Sequence, residues 1–314
     1  MSTPSTAHLT ASALFDVTGF IAVVTGGGTG IGLMIAKGLA TNGAKVYITG
    51  RRKEVLEKVA SEVNTMESVK GELVPIQCDV TSKDSIQALV QTIENTDGKL
   101  HILVNNAGQV GPTMPFLSSP SPSLPAGITT PTELGSALFA SQSFTDWSTH
   151  FSINVSSVFF VSVAFIGLLA KGTEEALARG IRGYMSTIVN VSSISGLMKL
   201  SQNHFAYNTA KAATSHLTKL LGTELALKKV PIRVNAIAPG AYASEMTNRQ
   251  GQLLDDEVAH RISKGLERAP SGRGGTEQEM AATALYIGSP AGCFLNGQEI
   301  VIDGGFLMVN PSTR

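Results

Sequence analysis

The chain has 314 residues, 43% apolar and 15% charged, which suits one large globular domain or two small ones and excludes a disordered chain. Lys plus Arg and Asp plus Glu number 24 each, so no excess positive charge stands ready for a nucleic acid or an anionic membrane. Charge below the roughly 25% usual for soluble domains, together with 32 glycines, points to tight backbone packing and to surface buried in an oligomer.

Cys78 and Cys293 are too few for a disulfide framework and lack zinc-ligand spacing, which fits a reducing, cytoplasmic setting. Residues 1–17 read as an N-terminal extension without the basic start and apolar core of a signal, and PSTR at the end is no address. Short apolar runs rich in β-branched residues then predict strands at 21–25, 45–49, 73–78, 100–104, 186–191, 232–237 and 299–303, with helical stretches between them. Strands that are apolar throughout, alternating with helices, imply a parallel sheet covered on both faces: a doubly wound α/β fold in a single domain over 18–310. The uncharged run 151–170 is long enough to cross a bilayer, but it carries Ser152, Asn154, Ser156, Ser157 and Ser162 and reads as a buried helix, with Trp147 packed at its start.

After the first strand, Gly26, Gly30 and Gly32 stand in TGGGTGIG ahead of a helix expected over 31–41. Glycine lets the backbone approach a pyrophosphate, and the helix N-terminus offers unpaired N–H groups and a positive dipole, with Thr29 and Ile31 at its entry. The second strand ends in Gly50, Arg51 and Arg52, where a chain that binds NAD usually offers a carboxylate to the ribose. Two guanidinium groups suit the 2′-phosphate of NADP(H); the alternative is a solvated arginine pair opening the next helix.

Tyr207 and Lys211 lie four apart in a predicted helix and so share a face. Lowering a phenol from about 10 to near 7 needs about 4 kcal/mol, and an ammonium about 5 Å away supplies about 3, so the pair is expected to tune Tyr207 for proton transfer to a carbonyl oxygen. No His or Cys cluster suggests a metal.

TGGGTGIG, CDV at 78–80, NNAG at 105–108, Asn154, VSS at 191–193, YNTAK at 207–211 and APG at 238–240 follow one another in an order that resembles the short-chain dehydrogenase/reductase family. The resemblance runs from about 18 to 305 and implies a Rossmann-type, seven-stranded sheet. It also implies a tetrad of Asn154, Ser193, Tyr207 and Lys211: Tyr207 as general acid, Ser193 on the substrate oxygen, Lys211 on the nicotinamide ribose, and Asn154 holding a relay water. Ser193 is preferred to Ser192 because two residues and Gly196 follow it, as in the family. By the same resemblance Asp79 and Val80 contact adenine, and Asn106, Ala107 and Gly108 line the adenine ribose. Gly240, Tyr242 and Ser244 fix the carboxamide and diphosphate. Taken singly these positions could be structural, Asn105 and Asn106 above all.

The segment 111–135 holds six of the thirteen prolines and is expected to be a loop, either a lid over the substrate pocket with the substrate loop 245–272 or disordered. The thirteen residues between Ser193 and Tyr207 require a bulge, His204 is expected to be solvated, and 171–184 is expected to be structural. These readings predict an NADPH-dependent reductase of a ketone or β-keto group in a moderately large, mostly apolar substrate, working in biosynthesis as a homotetramer or dimer. The alternatives are a cofactor-retaining cyclase or dehydratase and a nucleotide sensor.

Overall fold

The computed structural model describes residues 6–117, 123–244, 254, 255, 257 and 266–310. Seven parallel strands form one sheet: β1 Ile21–Thr25, β2 Lys45–Gly50, β3 Glu72–Gln77, β4 Ile102–Asn105, β5 Ser186–Val191, β6 Ile232–Pro239 and β7 Glu299–Ile302. Their spatial order is β3-β2-β1-β4-β5-β6-β7, with Val24 opposite both Ile48 and Val104. The chain reverses its winding between β1 and β4, which opens a crevice at the carboxyl ends of these strands. Pro75 cannot donate to a ladder, and it is tolerated in β3 because β3 is an edge strand.

Within β1, Ala22 and Val24 join the core on one face, while Ile21 and Val23 join the core on the other. The first face is covered by α1 Gly30–Thr41 and α2 Lys53–Asn64, through Ile35, Leu39, Leu56 and Val63. The second is covered by α3 Lys83–Thr96, through Ile86, Leu89 and Ile93. Val17 is already fully buried, so packing begins one residue before the expected start of the domain.

The proline-rich segment is not a loop to its end. Helix α4 spans Pro131–Ala140, because Thr130 and Glu133 form a reciprocal capping box and proline at the first helical position gives up only an N–H that has no partner there. Residues 118–122 of this segment and most of the expected substrate loop 245–272 lie outside the described residues.

Nor is the uncharged run one straight helix. Helix α5, Phe144–Phe151, passes through a π-helical turn at Ser152–Ser156 into α6, Ser157–Ala164, and then bends by 53° into α7, Ile166–Ala178. Among the described residues no single helix is long and apolar enough to cross a membrane, although this bent pair is by length and composition. Trp147 packs as expected, stacked on Phe151. The segment 171–184 ends at the buried Tyr184, whose ring lies against Phe20. Helix α8 runs Phe205–Leu227 and α9 runs Glu277–Gly288.

Candidate active site

A cleft of about 1690 Å³ opens at the carboxyl edge of the sheet. At one end, Gly26 (φ +64°) and Gly30 (φ +52°) adopt left-handed backbone that an L side chain rarely takes, and they turn the chain from β1 into α1. Thr29 stands at the N-cap of α1 without a side-chain capping bond, so the helix N-terminus faces the cleft without that internal acceptor. The Asn106 amide donates to the carbonyls of Thr25 and Gly26 at 3.0 and 3.1 Å, and Thr25 Oγ1 accepts from the N–H groups of Asn106 and Ala107. Asn106 therefore braces the glycine turn from the cleft wall, and Thr25 is a site residue that the sequence reading missed.

Gly32 does not line the cleft. A Cβ there would lie 2.3 Å from both Asn106 Nδ2 and the Gly26 carbonyl, so its role is close packing beneath the turn. Asn105 also ties strands together, donating to Asn190 Oδ1 and Ser162 Oγ. Arg51 and Arg52, both exposed, line the cleft at the end of β2, and Arg52 occupies the N-cap position of α2. Opposite them are Asp79 and Val80; hydrogen bonds from Thr81 hold the Asp79 carboxyl below its usual range, helped by the charge of Arg51.

At the other end, Ser193 follows β5 and lines the cleft together with Tyr207. A 3-10 turn at Ile194–Gly196 and left-handed backbone at Gln202 (φ 48°) and Asn203 (φ 68°) absorb the extra residues between them. Helix α8 begins after this bulge, so His204 is its N-cap. Against expectation His204 is half-buried in the cleft wall, its ring 5.4 Å edge-on from that of Tyr207 and its Nδ1 3.0 Å from Asn208 Oδ1.

Lys211 is 5% exposed and donates to the Val191 carbonyl at 2.8 Å, with its ammonium 5.7 Å from the Tyr207 ring centroid. Burial lowers its pKa to about 8. The expected lowering of Tyr207 by Lys211 is not found: burial pushes the phenol above its ordinary value, and the neighbouring Ser193 hydroxyl is what opposes this. The reason is geometric, since the ammonium is turned onto the end of β5 and is itself destabilised by burial.

Asn154, in the π-helical turn, is 1% exposed and lies behind the cleft wall. A Cβ on Gly108 would be 2.7 Å from Asn154 Oδ1 and 3.7 Å from Lys211 Nζ, so the bare glycine makes room for both. The Asn154 carbonyl accepts from Thr214 of α8 at 2.8 Å, which joins the two helices. Gly240, Tyr242 and Ser244 line the far wall, with the Tyr242 ring packed over Gly275. Of the residues expected at the site, all but Gly32 and Asn154 reach the cleft surface. Two further groups came from outside the motifs. Glu299 of β7 accepts from Ser192 and Ser215, and His150 of α5 contacts Asn154.

A glycine turn at a helix N-terminus, a basic strand end and a Ser–Tyr–Lys group in one crevice define a dinucleotide-dependent oxidoreductase site. The chain belongs to the short-chain dehydrogenase/reductase family, whose members act on alcohol and keto groups with a nicotinamide cofactor; the family described as short chain dehydrogenase matches residues 20–254. It is 41% identical over 317 residues to short-chain dehydrogenase/reductase PhomF of Diaporthe leptostromiformis, covering 100% of both chains. It is 33% identical over 293 residues to the rhamnolipids biosynthesis 3-oxoacyl-(acyl-carrier-protein) reductase of Pseudomonas aeruginosa, covering 93% of this chain and 98% of that one. The Pseudomonas aeruginosa RhlG/NADP active-site complex superposes with a TM-score of 0.73 at 30% identity, covering 93% of this chain and 98% of that one.

Proposed function

We propose that this chain is an NADPH-dependent reductase of a ketone or β-keto group in a moderately large, mostly apolar substrate, acting in a biosynthetic pathway and reversible as an alcohol dehydrogenase. The observation that carries the proposal is that Ser193 and Tyr207 line one wall of the cleft, with Lys211 buried beside them. The reduced nicotinamide supplies a hydride to the carbonyl carbon when it is bound. Tyr207, kept protonated by burial, gives its proton to the carbonyl oxygen, and Ser193 hydrogen-bonds the same oxygen. Lys211 would hold the nicotinamide ribose and return a proton towards Tyr207. Asn154 completes the group from behind Gly108.

The residues present fit this cofactor. Gly26, Thr29, Gly30 and Ile31 would hold the diphosphate at the α1 N-terminus, Asp79 and Val80 would flank the adenine, Asn106, Ala107 and Gly108 the adenine ribose, and Gly240, Tyr242 and Ser244 the carboxamide and diphosphate; all of them line the cleft. Arg51 and Arg52 favour a 2′-phosphate, and the NADP in the Pseudomonas aeruginosa complex supports the same choice. The substrate end is bordered by Val110, Thr113, Ile153, Ile194 and Phe306, a mainly apolar set that includes the root of the proline-rich segment. Met114 N–H bonds to the Asn203 carbonyl at 2.7 Å, which favours the reading of that segment as a pocket wall.

We also propose a homotetramer, with a dimer as the alternative. Phe159 and Phe160 on α6 and Phe205 and Leu220 on α8 expose apolar area that an interface between copies would bury. Light scattering tests this directly, and a monomeric mass rejects both. The function is tested by following NADPH oxidation over a panel of β-keto esters, cyclic diketones, quinones and keto-sugars, with NADH beside each. Turnover with NADPH preferred is the expected result. Tight NADPH binding with no turnover on any ketone rejects it.

A further inference from the structure

β7 ends at Ile302, and the chain turns from there into a short helix, α10, Phe306–Val309. The turn needs left-handed backbone at Gly304 (φ +65°) and Gly305 (φ +85°), and a Cβ on Gly304 would lie 2.3 Å from Ser271 Oγ. The Asp303 carboxylate holds it by accepting from the N–H groups of Gly305 and Leu307 at 2.9 and 2.8 Å. Asn310 then fastens the helix to residues 266–271. Its Oδ1 accepts from the Glu267 N–H at 2.9 Å, and its Nδ2 donates to the carbonyls of Glu267 and Phe306, each at 3.0 Å. The Ser271 N–H adds a bond to the Gly304 carbonyl at 3.1 Å.

This frame carries an apolar cluster separate from the two cores of the sheet. Phe306, 5% exposed, packs with Ile194, Met198 and Leu266, and among the described residues no strand contributes to the group. Ile194 and Phe306 border the cleft, whereas Met198 and Leu266 do not and so back them. Ile194 directly follows Ser193, so the wall starts beside the proposed contact to the carbonyl oxygen.

We propose that Phe306 is a specificity-determining residue: with Ile194 it forms a fixed apolar wall that receives one substituent of the ketone and selects a group the size of an aromatic ring over a methyl group. A ring set against this wall removes apolar area from water on both partners, and a methyl group leaves most of the wall uncovered. A hydroxylated chain, as in a keto-sugar, would lose its water there, since neither Phe306 nor Ile194 has a side-chain polar group to replace it. Asn310 is a positioning residue for the wall, acting through the Phe306 carbonyl and Glu267.

The inference rests on the reading of the cleft as a ketone reductase site, and one arm of its test needs no turnover. Calorimetric titration of the NADP+-loaded protein with ethyl benzoylacetate and ethyl acetoacetate should show the phenyl ester bound about 10-fold or more tightly than the methyl one. F306A should lose most of that preference while its Kd for NADP+ stays within about twofold. If F306A does not bind NADP+, F306L decides, and it should cut the preference about threefold or more. An unchanged preference in the variant, or no preference in the wild type, overturns the proposal. In the second arm, N310A should raise KM for ethyl benzoylacetate about 3- to 10-fold with kcat little changed. A KM like that of the wild type removes Asn310 from the wall. If the wild type reduces no ketone with NADPH, the proposed function has failed, and the binding arm still decides whether Phe306 selects the substituent.

Discussion

Lys211 donates from Nζ to the carbonyl of Val191 at 2.8 Å, tying the helix that carries Tyr207 to the strand that leads into Ser193. The bond holds three proposed catalytic groups in one frame, and it keeps an ammonium at 5% exposure with its pKa lowered from 10.5 to about 8. The unfolded chain binds that proton more tightly, so stability is lost as pH falls from 10.5 to about 8 and stays lower below it. The cost is up to about 3 kcal/mol.

Replacing Lys211 with Met should therefore abolish turnover and yet stabilise the fold. Removing the charge, worth up to about 3 kcal/mol, is set against one lost charge-assisted hydrogen bond worth about 1.5–3 kcal/mol, and Tm at pH 7 should rise by up to about 4 °C. A fall in Tm on calorimetry would show that the ammonium is compensated better than its surroundings indicate.

Arg51 and Arg52 line the cleft at the end of β2. R51D should weaken NADPH binding by about 10- to 100-fold, since a charge-assisted hydrogen bond to a phosphate is worth about 1.5–3 kcal/mol. Binding of NADH, which has no 2′-phosphate, should change little. Fluorescence titration of both nucleotides measures the split, and equal weakening of the two would remove Arg51 from phosphate recognition.

Glu299 accepts from Ser192 at 2.5 Å and from Ser215 at 2.6 Å, bridging β7 to the residue before Ser193 and to α8. Both hydroxyls keep a second acceptor, the carbonyls of Ile237 and Lys211 at 3.0 Å. E299A should accordingly cost only about 1 kcal/mol in urea unfolding. It should lower kcat more than it changes KM, because the residue it releases adjoins Ser193. An unchanged kcat would make Glu299 a packing residue only.

Burial of His101 should make the fold less stable in acid. Its Nδ1 accepts from the Ile21 N–H at 3.0 Å, its ring stacks on Phe20 at 4.5 Å, and burial lowers its pKa from 6.5 to about 4. Above pH 6.5 the ring is neutral in both the folded and the unfolded chain. As pH falls from 6.5 to about 4 the unfolded chain takes up the proton first, and about 3 kcal/mol of stability is lost. Thermal melts at pH 7, 6 and 5 should show this decline, and H101N should flatten it.

The glycine turn, the seven strands and the Tyr207–Lys211 pair were legible in the sequence because each is a local pattern, a period of helix or strand or a glycine that a tight turn demands, whereas Ser193 was reached through the family resemblance. Strand ends shifted by one or two residues, as for β4, which runs Ile102–Asn105 where 100–104 was predicted. The helix at Pro131–Ala140 had a readable signal in Thr130, Pro131 and Glu133, which the density of prolines masked. Other features had no local signal. Glu299 reaches Ser192 across 107 positions of sequence, and Asn154 meets Gln109 across 45. The direction of the Tyr207 shift depends on burial and on where the Lys211 ammonium turns, neither of which follows from a spacing of four.

The central claim is that the Tyr207 hydroxyl delivers the proton in carbonyl reduction. Y207F removes that hydroxyl and little else, so the direct measurement is NADPH oxidation by wild type and Y207F on the best ketone of the panel, with NADPH affinity determined for both. The account predicts a loss of about 100-fold or more in kcat with the NADPH Kd unchanged within about threefold. Turnover by Y207F near the wild-type rate would contradict it.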